Sequence, residues 1–380
     1  MAVYEAEGSW FLYRPGRVLV DRDTLEGKRT QSGEFRERVS KLGADRATEG
    51  QEAAAAVGLV ALDMPADRDL IGDVRDLRTI ATGPVAAPEH VLLAAPHRIV
   101  NTAPPIPADP PTDVPGARAA GKGLRIAVLD TGLAEGSRLA AVAPADVEVT
   151  DDDHDGVLDP AAGHGTFVTG LLRRYLPDAE LLIRRVFTGP AGLATELEIA
   201  AAFAELPEVD LVNCSFAGTT LDDLPPVAIQ RAIAALPRTT VVVAAAGNDA
   251  DERPHWPAAF KRVVGVGAIE GGRGHEGWQR APYSSFGHWV DAAASGSGVH
   301  SSFVAFDEHP PTPAHHFGGG ARWSGTSFAT PKVTAAIALL AERDGISVRE
   351  AVFQLIEADT RPQVAPVGTL VLPRALPPSP

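Results

Sequence analysis

The sequence predicts an α/β protein. Its large domain should be a three-layer fold, a mostly parallel sheet covered on both faces by helices, and a small α+β domain should precede it. Three observations carry this. After about residue 119, short apolar strands alternate with helical segments, the signature of a covered parallel sheet. Before residue 100 the order is strand, strand, helix, strand, helix, strand. Between them, residues 101–115 hold six prolines, which cannot donate to a regular ladder and favour an extended linker. At 380 residues the chain has room for one large and one small domain.

In the small domain, strands are expected over 10–13 and 17–21, joined by the turn Arg14-Pro15-Gly16. Ser32 fits an N-cap for a helix whose stripe is Phe35, Val39 and Leu42, with Gly43 as its stop. A strand over 57–62 follows, then a helix over 67–77 with Leu70, Ile71, Val74 and Leu77 on one face, then a strand over 90–94. The expected boundaries are 1–100 for this domain, 101–118 for the linker, 119–374 for the large domain and 375–380 for a frayed tail.

In the large domain, strands are expected over 124–129, 181–186, 211–215, 240–245, 263–266 and 289–293. Helices fall at 166–175, 196–206, 226–235 and 328–342. Ser347 to Glu350 has capping-box spacing and opens a last helix to about residue 357.

Composition narrows the function classes. An apolar fraction of 45% with 22% charged residues is that of a soluble globular protein. A net charge of −15 argues against nucleic acid as a partner, because phosphate binding needs clustered cations. Cys214 is the only cysteine, so no intrachain disulfide forms. Lying in an expected buried strand, it reads as inert packing. The start Met-Ala-Val-Tyr-Glu-Ala-Glu-Gly lacks the basic and apolar regions of a secretory signal. No apolar stretch approaches the ~20 residues that span a bilayer. The expectation is a cytoplasmic protein without membrane contact, with export by another route left open.

Three motifs carry chemistry. Ser327 lies in Gly325-Thr326-Ser327-Phe328-Ala329-Thr330-Pro331, where a long helical pattern with Val333, Ile337 and Leu340 begins. A serine hydroxyl needs a base to take its proton, and a helix N-terminus favours developing negative charge. Asp130 ends the apolar strand and precedes Thr131-Gly132, the edge of a parallel sheet where α/β sites collect. His164 sits in Gly163-His164-Gly165-Thr166 before a helix. Each alone reads as structural, Ser327 as an ordinary helix cap. Agreement of three motifs removes most of that weight.

In the order Asp, His, Ser these motifs resemble the subtilisin-like serine peptidases, or subtilases, over about residues 123–372. The resemblance implies a subtilisin-like fold and an Asp130, His164, Ser327 triad hydrolysing internal peptide bonds through an acyl-enzyme, without a cofactor for the chemistry. It implies that Asn248, in Ala244-Ala245-Ala246-Gly247-Asn248, donates to the oxyanion together with the Ser327 N–H. A peptide or protein substrate would lie as an added strand along Ser215, Phe216, Ala217 and Gly218, with Ala246 and Gly247 also lining the groove. Trp256-Pro257 matches a place where the family often has a cis proline.

Phe167, Lys332 and Ala217 depart from common family residues, which puts specificity and not mechanism in doubt. Residues 302–322 read as an unusual loop leading to the nucleophile, fit to cover the cleft. Its His315-His316 pair reads as loop rather than metal site. In the acidic run, Asp151, Asp153, Asp155 and Asp159 stand at calcium-loop positions with Gly156 at the sixth, while the twelfth place is Ala162. Structural calcium and a solvated acidic loop both stand. The N-terminal domain resembles a ferredoxin-like subtilase propeptide, an intramolecular inhibitor of a zymogen cut in the linker. A retained accessory or partner-binding domain is the alternative. For the whole chain the alternative to a peptidase is a non-catalytic peptide-binding or regulatory protein on the same scaffold.

Overall fold

The computed structural model describes all residues except 7–8, 82–84, 95–102, 112–119, 138, 140–144, 274–275, 309–314, 358–361 and 373–380. The tail expected over 375–380 and much of the 101–118 linker lie outside the described residues. The chain forms two compact units, one of Met1–Leu92, Ala194–Glu205 and Gly218–Leu236, the other of Leu93–Leu193, Leu206–Ala217 and Pro237–Pro380. The sequence pattern did not reveal that two later segments join the first unit. Among the described residues no helix is long and apolar enough to cross a membrane.

The first unit is built on an antiparallel sheet. Ser9–Asp21 pairs with Leu59–Asp63 on one side and Ala86–Leu93 on the other, and Asp45–Arg46 extends the sheet beyond Leu59–Asp63. With helices Ser32–Lys41 and Leu70–Ile80 in the connections, this is the ferredoxin-like order. The core joins Phe11, Val18 and Val20 of the sheet to Phe35, Val39, Leu70, Val74 and Leu77 of the helices. The two strands expected at 10–13 and 17–21 are one strand, Ser9–Asp21, whose register shifts between Tyr13 and Val18. Gly16, at φ 70°, absorbs the irregularity within the strand. Gln31 and not Ser32 is the N-cap of the first long helix, and Ser32 Oγ instead donates to the Arg29 carbonyl. Asp69 caps Leu70–Ile80 by accepting from the Gly72 N–H.

The second unit centres on seven parallel strands in the spatial order Glu180–Arg185, Arg125–Asp130, Leu211–Cys214, Val241–Ala245, Val263–Glu270, Ala292–Ser295 and Thr369–Leu370. The last sheet strand expected at 289–293 lies instead at Ala292–Ser295. From Arg125–Asp130 the chain goes to one neighbour, Glu180–Arg185, and later to the other, Leu211–Cys214. Asp130 therefore ends the strand where the winding reverses, and crevices open at the carboxyl ends of strands there. The strands are almost wholly apolar because both faces are covered. Helices His164–Tyr175 and Thr326–Asp344 belong to this core through Phe167, Val168, Leu171, Val333 and Ile337. Ser347 Oγ accepts from the Glu350 N–H, but the helix it opens is α only over Val348–Val352, with a wider turn over Phe353–Glu357.

The region expected as a loop at 302–322 is a β-hairpin. Val299–Asp307 pairs antiparallel with His316–Trp323, and linker residues Ile106–Ala108 add a third strand. Alternating burial in Val299–Ser302 and the aromatics Phe303, Phe317 and Trp323 hold it to the core, a period-two signal that the Pro- and His-rich tip obscured.

Candidate active site

The Asp130 and His164 motifs are fastened to each other by backbone bonds to threonine hydroxyls. Thr131 Oγ1 accepts from the Gly165 N–H at 2.9 Å, and Thr166 Oγ1 accepts from the Ala134 N–H at 2.8 Å. Gly165 is glycine for a reason of space, since a Cβ there would run into the Gly132 carbonyl oxygen. The chain crossing brings His164 Nδ1 to 2.7 Å from Asp130 Oδ1, which also accepts from the Thr131 N–H at 2.8 Å. Both side chains are about 1% exposed. An Nδ1–H donated to the carboxylate leaves Nε2 as the basic nitrogen. Nε2 is buried and has no hydrogen-bond partner, so no bond joins it to the Ser327 hydroxyl in this state. The ring stands among Trp323, edge-on at 5.7 Å, and Phe328 at 5.5 Å, which shield it from water.

Ser327 is the second residue of Thr326–Asp344, in the first helical turn, whose N–H groups have no intrahelical acceptor. Its carbonyl accepts from Ser215 Oγ at 2.8 Å, and that hydroxyl accepts from Asn213 Nδ2 at 2.9 Å. Asn248 is oriented by the residue before the serine: Oδ1 accepts from the Thr326 N–H at 2.9 Å and from Thr326 Oγ1 at 3.0 Å. With Oδ1 so occupied, the Nδ2 donor faces the other way, toward Gly325, whose Cβ position would lie 3.5 Å from it. A base held by a carboxylate, a serine at a helix start and a fixed amide donor are the parts needed for acyl transfer.

The profile of the subtilase family of S8 peptidases matches residues 121–364. The chain belongs to the subtilase family. It is similar to an intracellular serine protease of Paenibacillus polymyxa, 30% identical over 240 residues that cover 58% of this chain and 67% of that protein. It is also similar to the membrane-bound transcription factor site-1 protease of Homo sapiens, at 31% over 238 residues covering 58% of this chain and 21% of that much longer one. Among solved structures, fervidolysin from Fervidobacterium pennivorans, a keratinolytic enzyme related to subtilisin, aligns with all of this chain and 63% of its own at a TM-score of 0.61 and 18% identity, a likeness of fold.

In this subtilase the segment expected to receive substrate is already bridged by Leu93. Leu93 exchanges both backbone hydrogen bonds with Ala217 at 3.3 Å as an antiparallel bridge, and the Ala94 N–H donates to the Gly192 carbonyl at 3.0 Å. Ser215 and Phe216 turn their side chains inward, Ser215 to Ser327 and Phe216 against Phe187 at 4.8 Å. In the first unit, Gly218 passes so close to Leu92 that a Cβ would lie 2.9 Å from its Cγ. Ala246 donates to the Val266 carbonyl, and the Gly247 carbonyl accepts from Ser285. Trp256-Pro257 is cis.

Carboxylate oxygens of Asp151, Asp153 and Asp155 lie within 4.8 Å of one another, a spacing that fits one hard cation. They also accept N–H bonds of Asp155, Gly156 and Val157 within the loop. Asp159 stands apart from that group, accepting from the Asp152 N–H at 2.9 Å. Burial and the acids at 151–153 raise its pKa. Phe167 fills the core 4.4 Å from Phe328, and Lys332 Nζ donates to the carbonyl and hydroxyl of Ser295. Cys214 is fully buried, and burial followed by the Asp130 charge pushes its thiol well above the usual range, which leaves it a neutral packing group. The sequence reading missed Thr131, Thr166, Thr326 and Trp323. Each threonine stands one or two residues from a motif residue, which was the available signal.

Proposed function

We propose that this subtilase is a serine endopeptidase in which Ser327 attacks the scissile carbonyl and His164 takes the serine proton and returns it to the leaving amine. Asp130 fixes the tautomer of His164, and Asn248 with the Ser327 N–H receives the oxyanion. The observation that carries this reading is the buried Asp130 to His164 bond with Nε2 left unengaged, on a ring 5.5 Å from Phe328, the residue that follows the helix-start Ser327. Substrate binding closes the remaining gap, since catalytic bonds in free enzymes are often longer than in the reacting complex. A fluorophosphonate probe tests it: wild type is labelled and Ser327→Ala is not. Labelling of both, or of neither under conditions that support peptide hydrolysis, contradicts the assignment.

The chain is further read as a zymogen in which the segment at Leu93 and Ala94 is inhibitory. Supporting this, Leu93 and Ala94 hold the strand position on Ala217 and Gly192 that the family resemblance gives to substrate. A cut just beyond residue 94 would leave that segment as a bound product. Structural calcium on Asp151, Asp153 and Asp155 is the reading given to the acidic loop, supported by the convergence of three carboxylates. Calcium should then raise the melting temperature of wild type and not of Asp153→Asn. Equal responses of the two would remove that role.

A further inference from the structure

Glu148 is a buried carboxyl that the chemistry above does not use. It ends the short strand Val147–Glu148, which pairs in parallel with Leu133–Ala134 just beyond Asp130, Thr131 and Gly132. It is 5% exposed. Its Oε1 accepts from the N–H of Gly163, the residue before His164, at 3.1 Å. The Thr131 hydroxyl faces the same carboxyl and itself accepts from the N–H of Gly165, the residue after His164. The geometric bond that Glu148 makes to this turn is the one to the Gly163 N–H.

The groups that face Glu148 are Asp130 at the end of Arg125–Asp130, Arg185 at the end of Glu180–Arg185, the Thr131 hydroxyl and the Gly163 N–H. Burial, and then the like charge of Asp130, push its carboxyl well above the usual range, and Thr131, Gly163 and Arg185 offset part of this. Its Oε2 has no hydrogen-bond partner, a state less costly for a neutral carboxyl than for an ionised one.

We propose that Glu148 is a positioning residue for His164: it fixes the turn on which the imidazole stands by holding the Gly163 N–H. The proposal rests on the reading of His164 as general base. A misplacement of about 1 Å in such a group costs on the order of 100-fold in rate.

The test uses the full chain with Glu148→Ala and Glu148→Gln, and two readouts: fluorophosphonate labelling against probe concentration, and hydrogen exchange of the Gly163 amide. Glu148→Ala should lower the maximal labelling rate by about 10–100-fold with the half-saturating concentration unchanged, and should speed exchange of the Gly163 amide. Glu148→Gln keeps the acceptor for Gly163 and should restore both to within about threefold of wild type. Should the alanine variant not fold, Glu148→Asp, one methylene short of Gly163, takes its place with the same expectations. Wild-type labelling and a protected Gly163 amide in the truncated variant, or equal losses in Glu148→Gln, overturn the proposal. If wild type itself does not label, the reading of Ser327 fails, and amide exchange alone then decides for or against Glu148.

Discussion

Each of the two units buries a histidine against a carboxylate, and the two pairs differ in what they leave unpaired: His164 Nε2 and Asp130 Oδ2 in one, neither counterpart in the other. In the first unit His90 Nδ1 lies 2.8 Å from Glu196 Oε1, and its Nε2 accepts from the Leu221 N–H at 3.2 Å. Glu196 accepts further from the His90 and Ala228 N–H groups, so the network is closed on every side. In the second unit His164 makes the same Nδ1 contact to Asp130, yet its Nε2 has no partner. Both rings are about 1% exposed, so burial does not separate them. A satisfied second nitrogen suits a structural histidine, and an open one suits the base role proposed for His164. Leaving a buried acceptor unpaired costs stability, about 1–3 kcal/mol, and is retained where function needs it.

The comparison breaks if mutations at the two pairs have the same consequences. Ser327→Ala and His164→Ala should each lower kcat by roughly a millionfold, the scale the subtilisin triad sets, with folding intact by circular dichroism. Asn248→Ala should cost about 100–1,000-fold in kcat with KM little changed, read from initial rates on a peptide. His90→Ala should do the opposite, lowering stability by roughly 3 kcal/mol in a denaturant titration, because it strands the Glu196 carboxylate and the Leu221 N–H, while kcat after processing stays at the wild-type value. A large loss of kcat in His90→Ala would undo the distinction.

A smaller effect sharpens it through pH. Burial first, then the neighbouring Glu196 charge, push Glu89 to about 7 from an ordinary 4.5, against the Thr195 contact and the pull of Arg17. Because the folded value is the higher one, its contribution to stability is full below about 4.5 and is lost as the pH rises through about 7. Glu89→Gln should flatten that decline, by an amount on the order of 3 kcal/mol across the window, measured as melting temperature against pH. An unchanged slope would mean that Glu89 ionises normally.

Much of this was legible in the sequence where a local signal agrees with the global fold. The 126–130 strand, the His164 helix and the Ser327 helix each pair an apolar period with a motif at one end, so position and chemistry were read together. The parallel order of strands could not be read, because side-chain periodicity is silent on which strands become neighbours. The hairpin at 299–323 was missed because a Pro- and His-rich tip outweighed its alternation, and the irregular Ser9–Asp21 strand because Pro15-Gly16 mimics a turn. Glu148 and Glu196 were invisible for a different reason. Each acts through long-range partners, and a glutamate in an ordinary strand or helix start carries no sign of what it will face.

Intact-mass spectrometry of purified wild type and Ser327→Ala after incubation tests the central claim most directly, since it joins the nucleophile to the docked segment at Leu93 and Ala94. A cut between about residues 94 and 118 in wild type alone is the predicted result. A cut in both proteins, or intact chains in both together with no hydrolysis of added peptide, would contradict it.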